Sequence, residues 1–213
     1  MELNVDPKVF SKFDLNVGII VAVDMDNKTR VKEAKHLISE IEELIRLTFH
    51  KNSVKNHHFI SPWDLARKEF PKAKKYHTSV EKLVHKVLKK QSVSTKDVLT
   101  MVLNYLSLKY VIPIGSDDVD KVKGGLMFSM GRTELNYRDN KGVLGRKLDY
   151  YKATRTKVTP KTSAAVIHIE AIKPFSRRQL NSVLKEAQQL IQSFCGGRTE
   201  SYVLDKNTVS IRV

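Results

Sequence analysis

Between Phe13 and Met25 the chain reads FDLNVGIIVAVDM, an almost unbroken apolar run rich in Val and Ile, which predicts a buried strand. The period then changes. Ala34, Leu37, Ile38, Ile41, Leu44, Ile45 and Phe49 recur at three- and four-residue steps with charges between them, so residues 31–49 are predicted to form an amphipathic helix. Residues 50–60 are a polar connection. Ser61-Pro62-Trp63-Asp64 opens the next helix, with Ser as N-cap, Pro at the first helical position and an acid in the first turn, and Pro71 ends it. Thr78-Ser79-Val80-Glu81 has the spacing of a capping box. Behind it, Val80, Leu83, Val84, Val87 and Leu88 share one face, while Lys82, His85, Lys86, Lys89 and Lys90 share the other. A further helix is predicted from Ser94 to Tyr110, with Val98, Leu99, Val102, Leu103 and Leu106 inward.

After Pro113 the pattern shortens. Gly and Asp punctuate alternating segments at Leu126–Met130, Leu135–Tyr137, Val143–Leu144 and Leu148–Tyr151, and Ala164–Ile172 reads as a longer strand. Ser176-Arg177-Arg178-Gln179 is a second capping box, opening a helix that Gly196-Gly197 stops. A closing hairpin is expected from Ser201–Leu204 and Thr208–Val213, turned at Asp205-Lys206-Asn207. Helices gather in the first half and short strands in the second. The expected fold class is therefore α+β: a single domain over residues 1–213, with a mixed, largely antiparallel sheet packed against several helices.

Charge changes the picture. Residues 1–60 balance 9 Lys/Arg against 9 Asp/Glu, whereas 61–213 hold 29 against 14 and so carry the whole net charge of +15. Two windows dominate: 61–96 with 10 basic and 3 acidic residues, and 138–161 with 8 and 2. Such a surface attracts polyanions and releases their counterions on binding, which makes nucleic acid the first partner to consider. Lys outnumbers Arg 27 to 11, so a general lysine bias is the competing explanation. The face bearing Lys82, Lys86, Lys89 and Lys90 is accordingly either a solvated surface or a phosphate-facing ridge. The N-terminal MELNVDPKVF is mixed, and the longest apolar run, 17–23, falls well short of the ~20 residues of a membrane span, so a cytoplasmic protein without membrane contact is expected.

Familiar chemistry is mostly missing. There is no GxxxxGK[ST] loop, no GxGxxG and no GxSxG elbow. His50, His57 and His58 have no Cys or acidic residue at ligand spacing, so neither a metal nor a cofactor is expected. The single Cys195 closes an apolar helical pattern and reads as a small core residue. His168, between Ile167 and Ile169, reads as a hydrogen-bonded structural histidine.

Residues 103–125, LNYLSLKYVIPIGSDDVDKVKGG, carry the most specific pattern. Asn104-Tyr105 stands on a helix, Pro113 forces a turn, and Asp118-Val119-Asp120-Lys121 leads to Gly124-Gly125. This stretch resembles the B-three/four domain, the editing domain of the phenylalanyl-tRNA synthetase beta subunit, and more closely the stand-alone proteins of that family. YHTSVEKLVHKVL (76–88), TRTKVTPKT (154–162) and the closing CGG segment from 195 extend the resemblance over about 60–213. The first 60 residues match loosely.

The resemblance implies a pocket for an aminoacyl group esterified to a tRNA 3′ end. The protein would bind misacylated tRNA in trans, with or without hydrolysing the ester, or sense a free amino acid or aminoacyl-tRNA without catalysis. A basic nucleic-acid-binding protein that keeps the pocket only as scaffold is the third reading. No activity as an aminoacyl-tRNA ligase is expected. Asn104, Ser107, Tyr110, Gly115, Asp117, Asp118, Thr156 and Lys157 are the implied pocket residues, and Arg146, Lys152 and Arg155 join the four helix lysines as backbone-contact charges. Two departures bear on catalysis: the family's loop His falls at Gly115, and its Ser-Glu pair falls at Thr156-Lys157. No residue is thereby marked as the catalytic base.

Overall fold

The computed structural model describes residues 1–68, 77–131, 135–146 and 151–213, apart from the side chain of Tyr151. Pro71 and most of the strand predicted at 148–151 lie outside the described residues. At the centre is β2 (Leu15–Val23), whose side chains alternate between two hydrophobic cores. Leu15, Val17 and Ile19 enter one core, and Ile20 and Ala22 the other. A strand that must be apolar on both faces explains the near-continuous run that the sequence displays.

The β2 strand belongs to an antiparallel four-stranded sheet in which β3 (Ile114–Asp118), β8 (Ala165–Ile172), β2 and β9 (Arg198–Leu204) lie in that order. Its helical face is covered by α2 (Val31–Thr48), α4 (Ser79–Leu88), α5 (Val98–Tyr110) and α6 (Arg177–Cys195). In α5, Leu99, Met101, Leu106 and Leu108 are fully buried, each contributing roughly 1.5–3 kcal/mol of apolar burial. The other face meets a second sheet, ordered β10 (Ser210–Arg212), β1 (Glu2–Val5), β4 (Leu126–Met130), β5 (Leu135–Asp139), β6 (Gly142–Arg146) and β7 (Tyr151–Lys152). Within it β1 and β4 run parallel, and the other described pairs are antiparallel. The short helices α1 (Pro7–Lys12) and α3 (Ser61–Lys68) complete the fold, and Trp63 and Ala66 of α3 enter the core between the sheets. The α+β class holds, with two sheets where one was expected.

Both capping boxes form: Thr78 with Glu81, and Ser176 with Gln179. Three expectations change. The α5 helix begins at Val98, four residues later than predicted, because Asp97 caps it by accepting a hydrogen bond from Thr100 N at 2.8 Å. Gly115-Ser116-Asp117-Asp118, whose composition predicts a polar bend before Val119, is instead an edge strand, pairing with β8 from Ile114 opposite Ile169 to Asp118 opposite Ala165. The closing hairpin does not form, since β9 pairs with β2 while β10 pairs with β1 in the other sheet. Asp205 redirects the chain between them, its carboxylate accepting from Asn207 N and Thr208 N at 2.8 and 3.0 Å.

Asn27 ties the layers together. Its buried amide accepts from Leu99 N at 2.6 Å and donates to Thr159 O at 2.9 Å, joining the start of α5 to the 153–164 connection. Asn27→Ala strands both backbone groups, so it is expected to cost about 1–3 kcal/mol in urea unfolding. A change below ~0.5 kcal/mol would mean that the link is not structural.

Candidate functional site

Period-two geometry in β8 sends Ile167 and Ile169 into the helical core and His168 and Glu170 into the space between the sheets. There β3, the edge of one sheet, faces β4, β5 and β7 of the other. His168 Nδ1 lies 2.6 Å from Glu170 Oε1, and its ring packs on Tyr137 and Phe128 with centroids 4.6 and 5.6 Å away. The opposite ring nitrogen, Nε2, is 3.3 Å from Lys152 Nζ and 3.9 Å from Asp117 Oδ2. Lys152 Nζ is also 3.8 Å from Asp117 Oδ2, and its half-exposed side chain connects the cluster to solvent. Thr156 Oγ1 donates to Asp117 Oδ1 at 2.6 Å.

Gly115 makes this arrangement possible. It stands opposite His168 in the ladder, and a Cβ there would overlap the imidazole and crowd Lys152 Nζ. Asp117 Oδ2, Glu170 Oε2 and Tyr137 Oη are buried without a hydrogen-bond partner among the described residues. Burial and the neighbouring carboxylate of Asp117 hold the Tyr137 phenol far above its ordinary value, so it stays a neutral donor. Glu170 Oε2 lacks a donor, and Asp117 Oδ2 has the Lys152 ammonium only at 3.8 Å, so the two carboxylates suit a small cationic group such as an ammonium.

The predicted pocket residues divide between the two faces of the β3-β8-β2-β9 sheet. Gly115, Asp117 and Thr156 come together at this cluster. Asp118 points elsewhere, accepting from Thr162 Oγ1 at 2.6 Å and Asp120 N at 3.2 Å and pairing with Lys121, and so caps the 119–121 turn. Asn104 is on the helical side, donating to Val93 O at 2.8 Å. Ser107 donates to Ile112 O at 2.7 Å and holds the turn in which Val111 has φ 54°, an unusual left-handed conformation for a β-branched residue. Tyr110 donates to Glu186 Oε2 at 2.5 Å; burial and that bond push its phenol up to about 12. Tyr110 also lines a separate cavity of about 280 Å³ with His57, Phe59 and Phe175. Lys157 is exposed, and its carbonyl accepts from Lys121 Nζ at 2.8 Å.

Among the expected phosphate contacts, Lys152 reaches into the cluster. Arg155 forks onto buried Asp139, with Nη1 2.8 Å from Oδ2. Burial alone would raise Asp139, but Arg155 and the backbone N–H groups of Lys123 and Lys141 outweigh it and hold the carboxyl far below the usual range. Arg155 thus secures the β5–β6 connection. Arg146 ends β6 on the same sheet. Lys82, Lys86 and Lys89 line an open groove on α4, on the opposite side of the β3-β8-β2-β9 sheet, and Lys90 follows the helix with φ 59°.

His168 and Glu170, the centre of the cluster, were not among the expected site residues. The signal lay in their two-residue spacing, which puts two ionisable groups on one face of an otherwise apolar strand. Among the described residues no group of three His, Cys, Asp or Glu could hold a metal. No described helix is long and apolar enough to cross a membrane.

No family model matches the sequence, and no curated protein matches it. Among solved structures, an N-terminal fragment of the phenylalanyl-tRNA synthetase beta-subunit from Pyrococcus horikoshii aligns with 92% of this chain and 49% of its own, at 13% identity and a TM-score of 0.43. The chain spans about half the length of that fragment, and a likeness at this level establishes neither family nor function.

Proposed function

We propose that the chain binds the aminoacyl end of misacylated tRNA in the cluster around His168 and hydrolyses the ester. The observation that carries this reading is the pair of buried carboxylates Asp117 and Glu170, whose Oδ2 and Oε2 make no hydrogen bond among the described residues, flanking a histidine that Glu170 orients at 2.6 Å. The carboxylates would hold the substrate's α-ammonium. His168 Nε2 would take a proton from water as the water oxygen bonds to the ester carbonyl carbon, and the Lys152 ammonium would stabilise the oxyanion. Collapse of that intermediate breaks the bond to the ribose oxygen, which takes the proton back from the imidazolium, releasing free amino acid and a 3′-terminal hydroxyl.

The motif order in 103–125 supports an aminoacyl ester as the substrate class, and one departure from the family becomes intelligible. Its loop His falls at Gly115, and the imidazole of His168 occupies the space that a side chain at 115 would fill. One observation favours binding without hydrolysis: Lys152 Nζ, 3.3 Å from His168 Nε2, covers the nitrogen that must accept the proton. Catalysis therefore requires the substrate to displace Lys152 from that nitrogen.

A deacylation assay with Tyr-tRNA and a panel of other mischarged tRNAs separates these readings. Hydrolysis at least tenfold above the spontaneous rate, lost in His168→Ala, is the expected result. No hydrolysis, but tighter binding of charged than of uncharged tRNA that Asp117→Asn abolishes, would establish the binder instead. Indifference to the aminoacyl group in both measurements would overturn the assignment.

A further inference from the structure

The basic groove on α4 is separated from the His168 cluster by a whole sheet, and its composition suits a different task. His77, Lys82, His85, Lys86, Lys89 and Gln91 line an open depression of about 510 Å³. Lys82, His85, Lys86 and Lys89 follow the three- and four-residue steps of one helix face, so the cations form a row ~10 Å long. A row suits a linear polyanion; a single phosphate is usually met by convergent backbone N–H groups. The two imidazoles lie together, with ring centroids 4.9 Å apart. Among the described residues, the acid beside the groove, Glu81, is buried and already paired with Arg67 at 2.6 Å, so it subtracts little from the groove.

We propose that this groove is a nucleic-acid-backbone site, distinct from the His168 cluster, in which Lys82, Lys86 and Lys89 meet successive phosphates and His85, packed beside His77, strengthens the contact as pH falls. His85 is the responsive member. Burial, followed by the charges of His77, Lys89 and Lys51, lowers its affinity for a proton, with Glu81 acting in the opposite sense. It is therefore mainly neutral near pH 7.5. A phosphate opposite the pair favours the protonated ring, and linkage then requires binding to tighten as pH drops toward 5.5. The site requires no aminoacyl group, so it stands or falls separately from the deacylation reading.

The test uses the full chain and an unacylated single-stranded RNA oligonucleotide, with binding followed by fluorescence anisotropy at pH 7.5 and 5.5 over a salt series. Lys86→Glu with Lys89→Glu is expected to weaken binding at least tenfold and to flatten the slope of log K against log salt by about 1.4, ~0.7 for each lost single-strand contact. Lys86→Gln with Lys89→Gln should give the same slope change, which guards against a fold defect in the charge-reversed protein. His85→Gln should match wild type at pH 7.5 and lose the roughly three- to tenfold tightening at pH 5.5. Wild-type affinity and slope in both lysine pairs would overturn the site, and an undiminished pH response in His85→Gln would overturn the role of His85. Tenfold preference for a sulfated polysaccharide over RNA would overturn nucleic acid as the ligand.

Discussion

Arg67→Met is expected to lower the unfolding free energy by about 3–5 kcal/mol at neutral pH, because it leaves a buried carboxylate without its guanidinium. Arg67 Nη1 lies 2.6 Å from Glu81 Oε2, and the residues are 5% and 1% exposed. The pair joins α3 to the start of α4. Glu81 also receives Thr78 N at 2.8 Å and contacts His77 Nδ1 at 3.1 Å, so it fixes one wall of the basic groove. Burial alone would raise the Glu81 carboxyl. Arg67, the Thr78 N–H and His77 outweigh that effect and hold it below its ordinary value of 4.5. A carboxyl depressed on folding stabilises the protein above its unfolded value, and that contribution fades as pH falls from there through the folded value. In Arg67→Met the main source of that depression is gone, and burial favours the protonated acid. The stability gap between wild type and variant should therefore narrow from pH 7 to pH 4 in urea unfolding. A gap independent of pH would show that Glu81 is not the group left exposed to the penalty. Adding Glu81→Gln should recover part of the loss, because the stranded charge disappears.

Much of this architecture was legible because local signals agreed with the fold. The two capping boxes, the helical stripes of α2 and α6 and the apolar run of β2 each specify an element without outside help. The site was harder to read for physical reasons. Gly115, Ser116, Asp117 and Asp118 have the composition of a surface bend, yet they form an edge strand whose inward face is polar because it meets His168 and Thr156. A strand lining a buried polar site breaks the usual alternation and resembles a turn. Asn104 shows the opposite case: nothing in the sequence indicates that Val93 O, in the connection before α5, accepts from its amide. The separation of β9 from β10 was invisible too, since nothing in a turn centred on Asp205 specifies which sheet each flanking strand joins.

Gly115→Ala should cost about 1–3 kcal/mol in stability and, under the function proposed for the His168 cluster, abolish selective handling of the aminoacyl group, both effects having one cause. The added methyl overlaps the His168 ring, which has little room to move: Tyr137 packs 4.6 Å away by centroid, and Glu170 holds Nδ1 at 2.6 Å. Either the ring leaves its carboxylate or β3 shifts on β8, and each outcome moves Asp117, Lys152 and His168 out of register. A double-mutant cycle separates this steric account from a general intolerance of strand β3. Removing the ring with His168→Ala opens the volume that the methyl needs, so Gly115→Ala should cost at least ~1 kcal/mol less in that background than in wild type. Thermal or urea unfolding of the four proteins measures the coupling, while deacylation or charged-tRNA binding by Gly115→Ala measures the functional loss, expected at tenfold or more. Strict additivity of the two substitutions would refute the shared-space account, and undiminished aminoacyl discrimination in a destabilised Gly115→Ala would place the ligand somewhere other than the His168 cluster.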